Sequence, residues 1–237
     1  GNDFSNNGFL LRGSPGSTPN SSTFGGDSLA LTDGTLFVRT GTGGTATVAT
    51  INALGGTTIS AAYADCSLAV TSFNNLAGAT TVNANVSSGN TVNVDFQNLT
   101  GAGDFELIST NVSGGGRIIQ FTIGNGADYT GDIYWSDGNP VVLEFGNDLI
   151  LGGRLIADST SNIELNQDVT LCGLILDGDD LAQGTYSYSF LNTTYDDIFR
   201  DGGSGSITVV PEPASLAVLG LGGAVALFRR RPMVLGR

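Results

Sequence analysis

The sequence predicts an all-β chain: a right-handed parallel β-helix (β-solenoid) body followed by one C-terminal transmembrane helix. Three observations predict it. Strand-forming pieces of three to six residues succeed one another throughout the body between Gly, Asn, Asp and Ser, and no helical period lasts beyond a turn or two. Between 147 and 178 the apolar-x-apolar pairs Leu149/Leu151, Leu155/Ala157, Ile163/Leu165, Val169/Leu171 and Leu174/Leu176 begin at intervals of 6, 8, 6 and 5 residues. An unbroken apolar run, Ala214 to Phe228, then stops at Arg229, Arg230 and Arg231. A β-sandwich is the alternative for the body, but its hairpins need longer strands and turn signals about 8 to 12 residues apart.

The expected strands of the first half are Ser28 to Leu31, Thr35 to Arg39, Ala46 to Ile51, Thr57 to Ala61, Ser67 to Thr71, Thr80 to Val86, Thr91 to Phe96 and Phe105 to Ser109. The second half continues with Arg117 to Ile123, Asp132 to Trp135, Val141 to Phe145, Asp148 to Leu151, Arg154 to Ala157, Asn162 to Leu165, Asp168 to Leu171 and Leu174 to Leu176. Three such pieces make a coil of roughly 20 residues. Stacking each strand on its counterpart one coil along buries the inward residues and leaves alternate positions in solvent. Asn74-Asn75 and Asn83 to Asn85 are placed to form ladders between coils. Both ends of such a stack need caps, because an uncovered coil is an exposed sheet edge.

Composition excludes several functions. The 237 residues contain 36 glycines, no histidine and no lysine, and the nine basic residues are all arginines. Four arginines fall in the tail, so five face 21 acids up to Val210, a net charge near −16 (5 − 21). Phosphate recognition needs clustered Lys and Arg, so no nucleic-acid partner is expected. Without histidine or lysine there is no Ser-His-Asp triad, Schiff base or histidine-based metal site. Asp179-Asp180 and Asp196-Asp197 are the carboxylate pairs that a glycosidase or a calcium-dependent lyase would use. Asp177-Gly-Asp-Asp reads instead as a turn in which aspartate caps its own backbone, and Asp196-Asp197 before Ile198-Phe199 as a helix start. Gly25-Gly-Asp and Gly101-Ala-Gly-Asp lack the nonapeptide period of a calcium-binding roll. No catalytic residue, metal site or cofactor is therefore expected.

Tyr129, Tyr134 and Trp135 lie close in sequence, and as exposed aromatics they would stack on sugar rings; packing into the core is the competing fate. Cys66 and Cys172 are far apart and have no C-x-x-C partner, which reads as two buried thiols at separate levels, although export would permit a disulfide. The chain opens at Gly1 without a charged and apolar leader, so an export signal is expected upstream or already removed.

In the tail, Val-Val-Pro-Glu-Pro-Ala-Ser (209 to 215) leads into the apolar run. Pro211 and Pro213 lack backbone donors and disfavour helix in the residue before them, so the box reads as an accessible, extended stretch ahead of a helix. The 15 apolar residues span roughly 22 Å as a helix against a hydrocarbon core of about 30 Å, a marginal span that snorkelling arginines can complete. Arg229, Arg230 and Arg231 would hold the C-terminus in the cytoplasm and leave the body outside. Gly220 and Ala224 fit a small-xxx-small helix contact.

This combination of Pro211-Glu212-Pro213, one hydrophobic helix and a terminal arginine cluster resembles the PEP-CTERM sorting signal of Gram-negative bacteria. The resemblance implies recognition by the membrane enzyme exosortase, a precursor held transiently in the inner membrane, and delivery to the outer surface or extracellular matrix. It also implies a structural or adhesive, non-enzymatic role beside exopolysaccharide, with a carbohydrate-binding module as the alternative. Asn125-Gly-Ala-Asp-Tyr-Thr-Gly-Asp-Ile-Tyr, followed by Val141-Val-Leu-Glu-Phe-Gly-Asn-Asp-Leu, is similar to the autotransporter-associated β-strand repeat. Gly173-Leu-Ile-Leu-Asp-Gly, Leu181-Ala-Gln-Gly-Thr-Tyr-Ser and Gly202-Gly-Ser-Gly-Ser-Ile-Thr-Val resemble a terminal module that precedes such tails, with Tyr186 and Ile207 to Val209 closing the last coils. The expected organisation is a body over 1–208 with a capping module at 173–208. A sorting tail follows over 209–237, comprising a membrane helix (213–228) and a basic cytoplasmic end (229–237).

Overall fold

The computed structural model describes residues 2–5, 8–12, 22–39, 43–62, 65–85, 90–108, 117–135 and 141–211. In chain order the first strands are β1 (Asn2–Ser5), β2 (Gly8–Arg12), β3 (Ser22–Thr23), β4 (Leu29–Thr32), β5 (Thr35–Arg39), β6 (Gly44–Ala53), β7 (Thr57–Ala62) and β8 (Cys66–Asn75). There follow β9 (Ala79–Asn85), β10 (Thr91–Thr100), β11 (Asp104–Ile108), β12 (Arg117–Asn125), β13 (Ile133–Trp135), β14 (Val141–Phe145), β15 (Leu149–Ile150) and β16 (Arg154–Ala157). The C-terminal part holds β17 (Ile163–Glu164), β18 (Asp168–Leu171), β19 (Gly173–Leu176), β20 (Asp179–Asp180), β21 (Gly184–Ser187), the short helix α1 (Tyr188–Thr194) and β22 (Ser206–Val209).

These strands wind into a β-solenoid. One sheet runs β1-β4-β6-β8-β10-β12-β14-β17, a second β2-β5-β7-β9-β11-β13-β16-β19-β20, and a third β15-β18-β22-β21. Coil-to-coil pairing is parallel, which rules out the sandwich alternative, since a sandwich is built from antiparallel hairpins. Gly44 pairs with Cys66 and Cys66 with Val92, so successive coils advance by 22 (66 − 44) and 26 (92 − 66) residues. Further along, Leu143 pairs with Ile163 and Leu155 with Leu174, and the advance shortens to 20 (163 − 143) and 19 (174 − 155).

The longer coils contain strands that turn a corner without ending. In β6 the inward residues Val48 and Ile51 are separated by Ala49 and Thr50, which both face out, and alternation resumes beyond them. Thr71-Ser72 in β8 and Gln97-Asn98 in β10 do the same. Two successive outward residues shift the inward set by one position, so the strand bends from one wall of the prism to the next. The sequence predicts strand ends at or near each such pair, at Ile51, Thr71 and Phe96, whereas the strands continue through Asn52–Ala53, Ser72–Asn75 and Gln97–Thr100. Nearer the C-terminus the corner becomes a separate turn, Gly146-Asn147-Asp148, between β14 and β15. There the Asn147 amide accepts from Ile123 N–H at 3.2 Å and donates to Ile123 C=O at 3.1 Å, standing in for a strand backbone.

The core is a column of inward side chains with an aromatic stack at mid-height. Phe73 and Phe96 lie 4.5 Å apart and nearly parallel, and Phe105, Phe121 and Tyr129 extend the stack. The two asparagines after Phe73 divide their labour. Asn74 forms the expected outward ladder, donating to Asn52 at 2.7 Å and accepting from Thr100 at 2.8 Å. Asn75 is buried and bridges a corner: its amide accepts from Thr80 at 2.9 Å and donates to the Gly103 and Asp104 carbonyls. Gly103, Gly131 and Gly153 stack at the same corner so tightly that a Cβ on Gly131 would sit 2.1 Å from the Gly103 carbonyl oxygen. No disulfide joins Cys66 and Cys172. Burial, then the charge of Asp65, pushes the Cys66 thiol up to about 12, while half-buried Cys172 donates to the Gly152 carbonyl.

At the C-terminal end each sheet edge is covered. β20 turns back antiparallel on β19, β21 lies antiparallel on β22, and Ile198 to Arg200 bond both sides of Ile163 on β17. No helix among the described residues is long and apolar enough to cross a membrane; the expected membrane helix, 213–228, lies outside the described residues. Gly131→Ala is expected to destabilise the body by about 1–3 kcal/mol, because the stacked carbonyl has nowhere to move. Gly25→Ala, with nothing within 4 Å of its Cβ, should change stability by under about 0.5 kcal/mol, both read by denaturant unfolding.

Candidate functional site

Among the described residues, the chain's exit from the last coil and the outer face of one wall bear on the sequence expectations. The first is where the chain leaves the last coil. β22 lies between β18 and β21: Ile207 pairs with Val169 and Tyr186, and Val209 with Leu171 and Gly184. Its alternation drives Ile207 and Val209 into the core, while Ser206 and Thr208 face out to bond Asp168 at 2.8 Å and Thr185 at 3.0 Å. One residue on, Val210 N–H donates to the Leu171 carbonyl at 2.8 Å, and Pro211, which has no donor to continue the ladder, is half-buried at the exit. Of the expected sorting residues, Pro211 is therefore placed at the rim of the fold. Glu212, Pro213, Arg229, Arg230 and Arg231 lie outside the described residues.

The second place is the outer face of the wall formed by β11, β13 and β16. Here the sequence expectation for the aromatic trio needs correction: Tyr129 and Trp135 are buried, and only Tyr134, 36% exposed, reaches solvent. The reason is the period of two. Ile133 and Trp135 point inward on β13, which leaves Tyr134 outward between them. Tyr129 sits in the turn before β13, packs 5.7 Å from Phe105 and donates its hydroxyl to the Asp132 carbonyl at 3.1 Å. An alternation count over Ile133-Tyr134-Trp135 carries the signal that separates these residues.

Around Tyr134 the stacked register builds a small charged network that no sequence motif announced. Glu106, Tyr134 and Ile156 occupy one outward column. Beside it, Asp132 takes two hydrogen bonds from Arg154, at 2.9 Å from Nε and 2.5 Å from Nη2, while Asp104 accepts from the Asp132 backbone N–H at 2.8 Å. Gly173, one coil further, has no side chain to collide with the Arg154 stem. Tyr134 donates to Asp132 at 3.3 Å, and burial followed by the Asp132 charge pushes its phenol above the usual tyrosine range. The hydrogen bond and charge of Asp132 likewise hold Arg154 firmly cationic. An exposed ring beside a fixed Arg–Asp pair offers stacking and hydrogen bonding to a polar ligand.

Of the carboxylate pairs, Asp179-Asp180 forms β20 and Asp196-Asp197 lies in the turn after α1. Asp177 and Gly178 adopt φ of 50° and 85° in the tight turn between β19 and β20, and Asp179 accepts from Tyr195 at 3.3 Å. Asp196-Asp197 does not start a helix. α1 begins earlier, capped by the Ser187 hydroxyl, and has ended before them; Leu191 supplies its buried contact. Asp196 instead lines a shallow polar groove with Asn192, Phe199, Arg200 and Asp201. Among the described residues, no group of three or more Cys, Asp or Glu is placed to hold a metal ion.

A pair of acids stacks on the outer wall: Glu144 lies in register with Glu164, with Gln120 donating to Glu144 at 3.2 Å and Arg200 3.7 Å from Glu164. Burial, then the Glu164 charge, raises the Glu144 carboxyl above its ordinary value of 4.5. Folding thus favours its protonated form, so the penalty is absent below that value, grows as pH climbs through the raised one and persists at neutral pH. Glu144→Gln is expected to raise the thermal midpoint at neutral pH and to leave it unchanged in acid, as followed by circular dichroism.

Comparison with known families matches the PEP-CTERM protein-sorting motif to residues 209–231. That span begins on Val209 of β22 and includes Pro211, Glu212, Pro213 and the three arginines. The match covers the tail alone; the likeness of the body to autotransporter-associated repeats has no family match behind it. No curated protein and no solved structure matches the chain.

Proposed function

We propose that the chain is an exported surface or matrix protein whose solenoid is the delivered cargo and whose residues 209–237 are its address. The observation that carries this reading is the sorting motif at 209–231, joined directly to the last coil. In this reading exosortase recognises Pro211-Glu212-Pro213, and a helix over 213–228 holds the precursor in the inner membrane. Arg229, Arg230 and Arg231 keep the C-terminus in the cytoplasm of a Gram-negative-type cell.

The body then serves as a structural or adhesive element beside exopolysaccharide, without enzymatic activity. Its walls of short, capped, parallel strands and its dense acidic charge suit an extended, well-solvated spacer. The second reading, a carbohydrate-binding module, is favoured by one feature, the exposed Tyr134 ring beside Asp132 and Arg154.

The test of sorting is replacement of Pro211, Glu212 and Pro213 by alanine in the native host. The unaltered protein is expected at the cell surface or in the medium with its tail shortened, and the variant as full-length precursor in the membrane fraction. Equal surface delivery of both would reject the role of the box. For the second reading, Tyr134→Ala is expected to weaken retention of the body on the host's own exopolysaccharide about tenfold by affinity electrophoresis, equivalent to about 1.4 kcal/mol. Unchanged retention would leave the spacer role.

A further inference from the structure

The ring of Tyr134 does not stand alone on its wall. Parallel register sets Glu106 beside Tyr134, Tyr134 beside Ile156 and Ile156 beside Ile175, and the antiparallel turn then sets Asp180 beside Ile175. Alternation along β11, β13, β16 and β19 turns the first four outward, and the exposed Asp180 shares the face of its partner Ile175. The result is a straight stripe of one aromatic ring and two aliphatic side chains with a carboxylate at each end. Its four strand steps, at about 4.8 Å each, make it roughly 19 Å long.

The charges along this stripe are unevenly matched. Arg154 is engaged by Asp132 through two hydrogen bonds, while Glu106 and Asp180 have no ion-pair partner among the described residues. Only the neutral Thr81 hydroxyl donates to Glu106, at 3.4 Å. With Asp104, which takes the Asp132 backbone N–H, the group holds four acids and one arginine, a net charge of −3 (1 − 4). The Tyr134 hydroxyl bond to Asp132 orients the ring before any ligand arrives.

We propose that this stripe binds an amino-sugar polymer, a glycan carrying free ammonium groups, laid across the coils along the solenoid axis. This narrows the carbohydrate-binding reading above, on which it rests, to one charge class of glycan. The ring and the isoleucines meet the apolar faces of successive sugars, since one strand step is close to the length of one pyranose unit. Ammonium groups on those sugars pair with Glu106 and Asp180, and one held over the Tyr134 face gains cation–π attraction. The Arg154 side chain, 46% exposed, keeps its outer side for sugar hydroxyls. A uronate or sulfated chain meets net negative charge instead and is repelled. A lysine-rich peptide offers the charge without flat faces to stack on the ring.

The test is calorimetric titration of the full chain with short oligomers of glucosamine, N-acetylglucosamine, galacturonate and lysine. It is run at low ionic strength and at a pH between the ordinary carboxylate and amine ranges. The glucosamine oligomer is expected to bind about tenfold more tightly than its N-acetylated counterpart, the product of two exposed ion pairs of about threefold each, and galacturonate not at all. Tyr134→Ala should weaken both binding oligomers about tenfold. Glu106→Gln and Asp180→Asn, at exposed positions, should each weaken the glucosamine oligomer alone, about threefold. Tyr134-dependent binding of the N-acetylated or galacturonate oligomer as tight as that of glucosamine overturns the inference and leaves carbohydrate binding intact. A glucosamine preference that survives both charge removals overturns it as well, as does equally tight binding of oligolysine, which would show that charge alone is read. If no sugar oligomer binds, or if Tyr134→Ala changes nothing, the carbohydrate-binding reading itself falls.

Discussion

Everything in this molecule depends on parallel stacking in register. Each coil satisfies its backbone donors and acceptors mainly through the coils above and below, so no coil is stable alone and each side chain is constrained by its counterparts along the column. The constraint is visible where backbone cannot serve. Asn147 replaces a strand peptide at one corner, Asn75 braces another from inside, and the glycines at 103, 131 and 153 let carbonyls approach closer than any Cβ would permit. These residues keep the walls aligned so that columns of outward residues become surfaces.

The same stacking gives the solenoid a definable surface. Acids recur in outward columns because turn and wall positions face water. Their partners are neighbours in the stack: Gln120 for Glu144, Arg200 for Glu164, and Arg154 for Asp132. The Tyr134 network is the place where stacking gathers an aromatic ring, a cation and an anion. The C-terminal caps are equally a consequence of the architecture. A solenoid that continued to present parallel edges would invite pairing with other chains, and β20, β21 and the Ile198–Arg200 segment close those edges one sheet at a time.

The sorting motif follows directly on this cap. β22 belongs to both, as the penultimate strand of the third sheet and as the opening of the matched span. A boundary drawn in sequence at 208 and 209 therefore divides a strand whose alternation, Ile207 in and Val209 in, shows no break. The fold places the boundary after Val210, where proline ends the ladder.

The sequence by itself determined the class of the body, most strand positions and the nature of the tail. Period-two alternation, short spacing between turns, and an apolar run ended by arginines are local signals, and local signals survive without a structure. Thr35–Arg39, Val141–Phe145, Arg154–Ala157 and Asp168–Leu171 were legible to the residue. Only the tertiary structure decided which outward pairs were corners rather than strand ends, that Tyr129 and Trp135 are core while Tyr134 is surface, and that Asp132 meets Arg154. Those outcomes depend on registers between residues 20 or more positions apart, such as the 22 that separate Asp132 from Arg154, and a register is a property of the stack, written in no single segment.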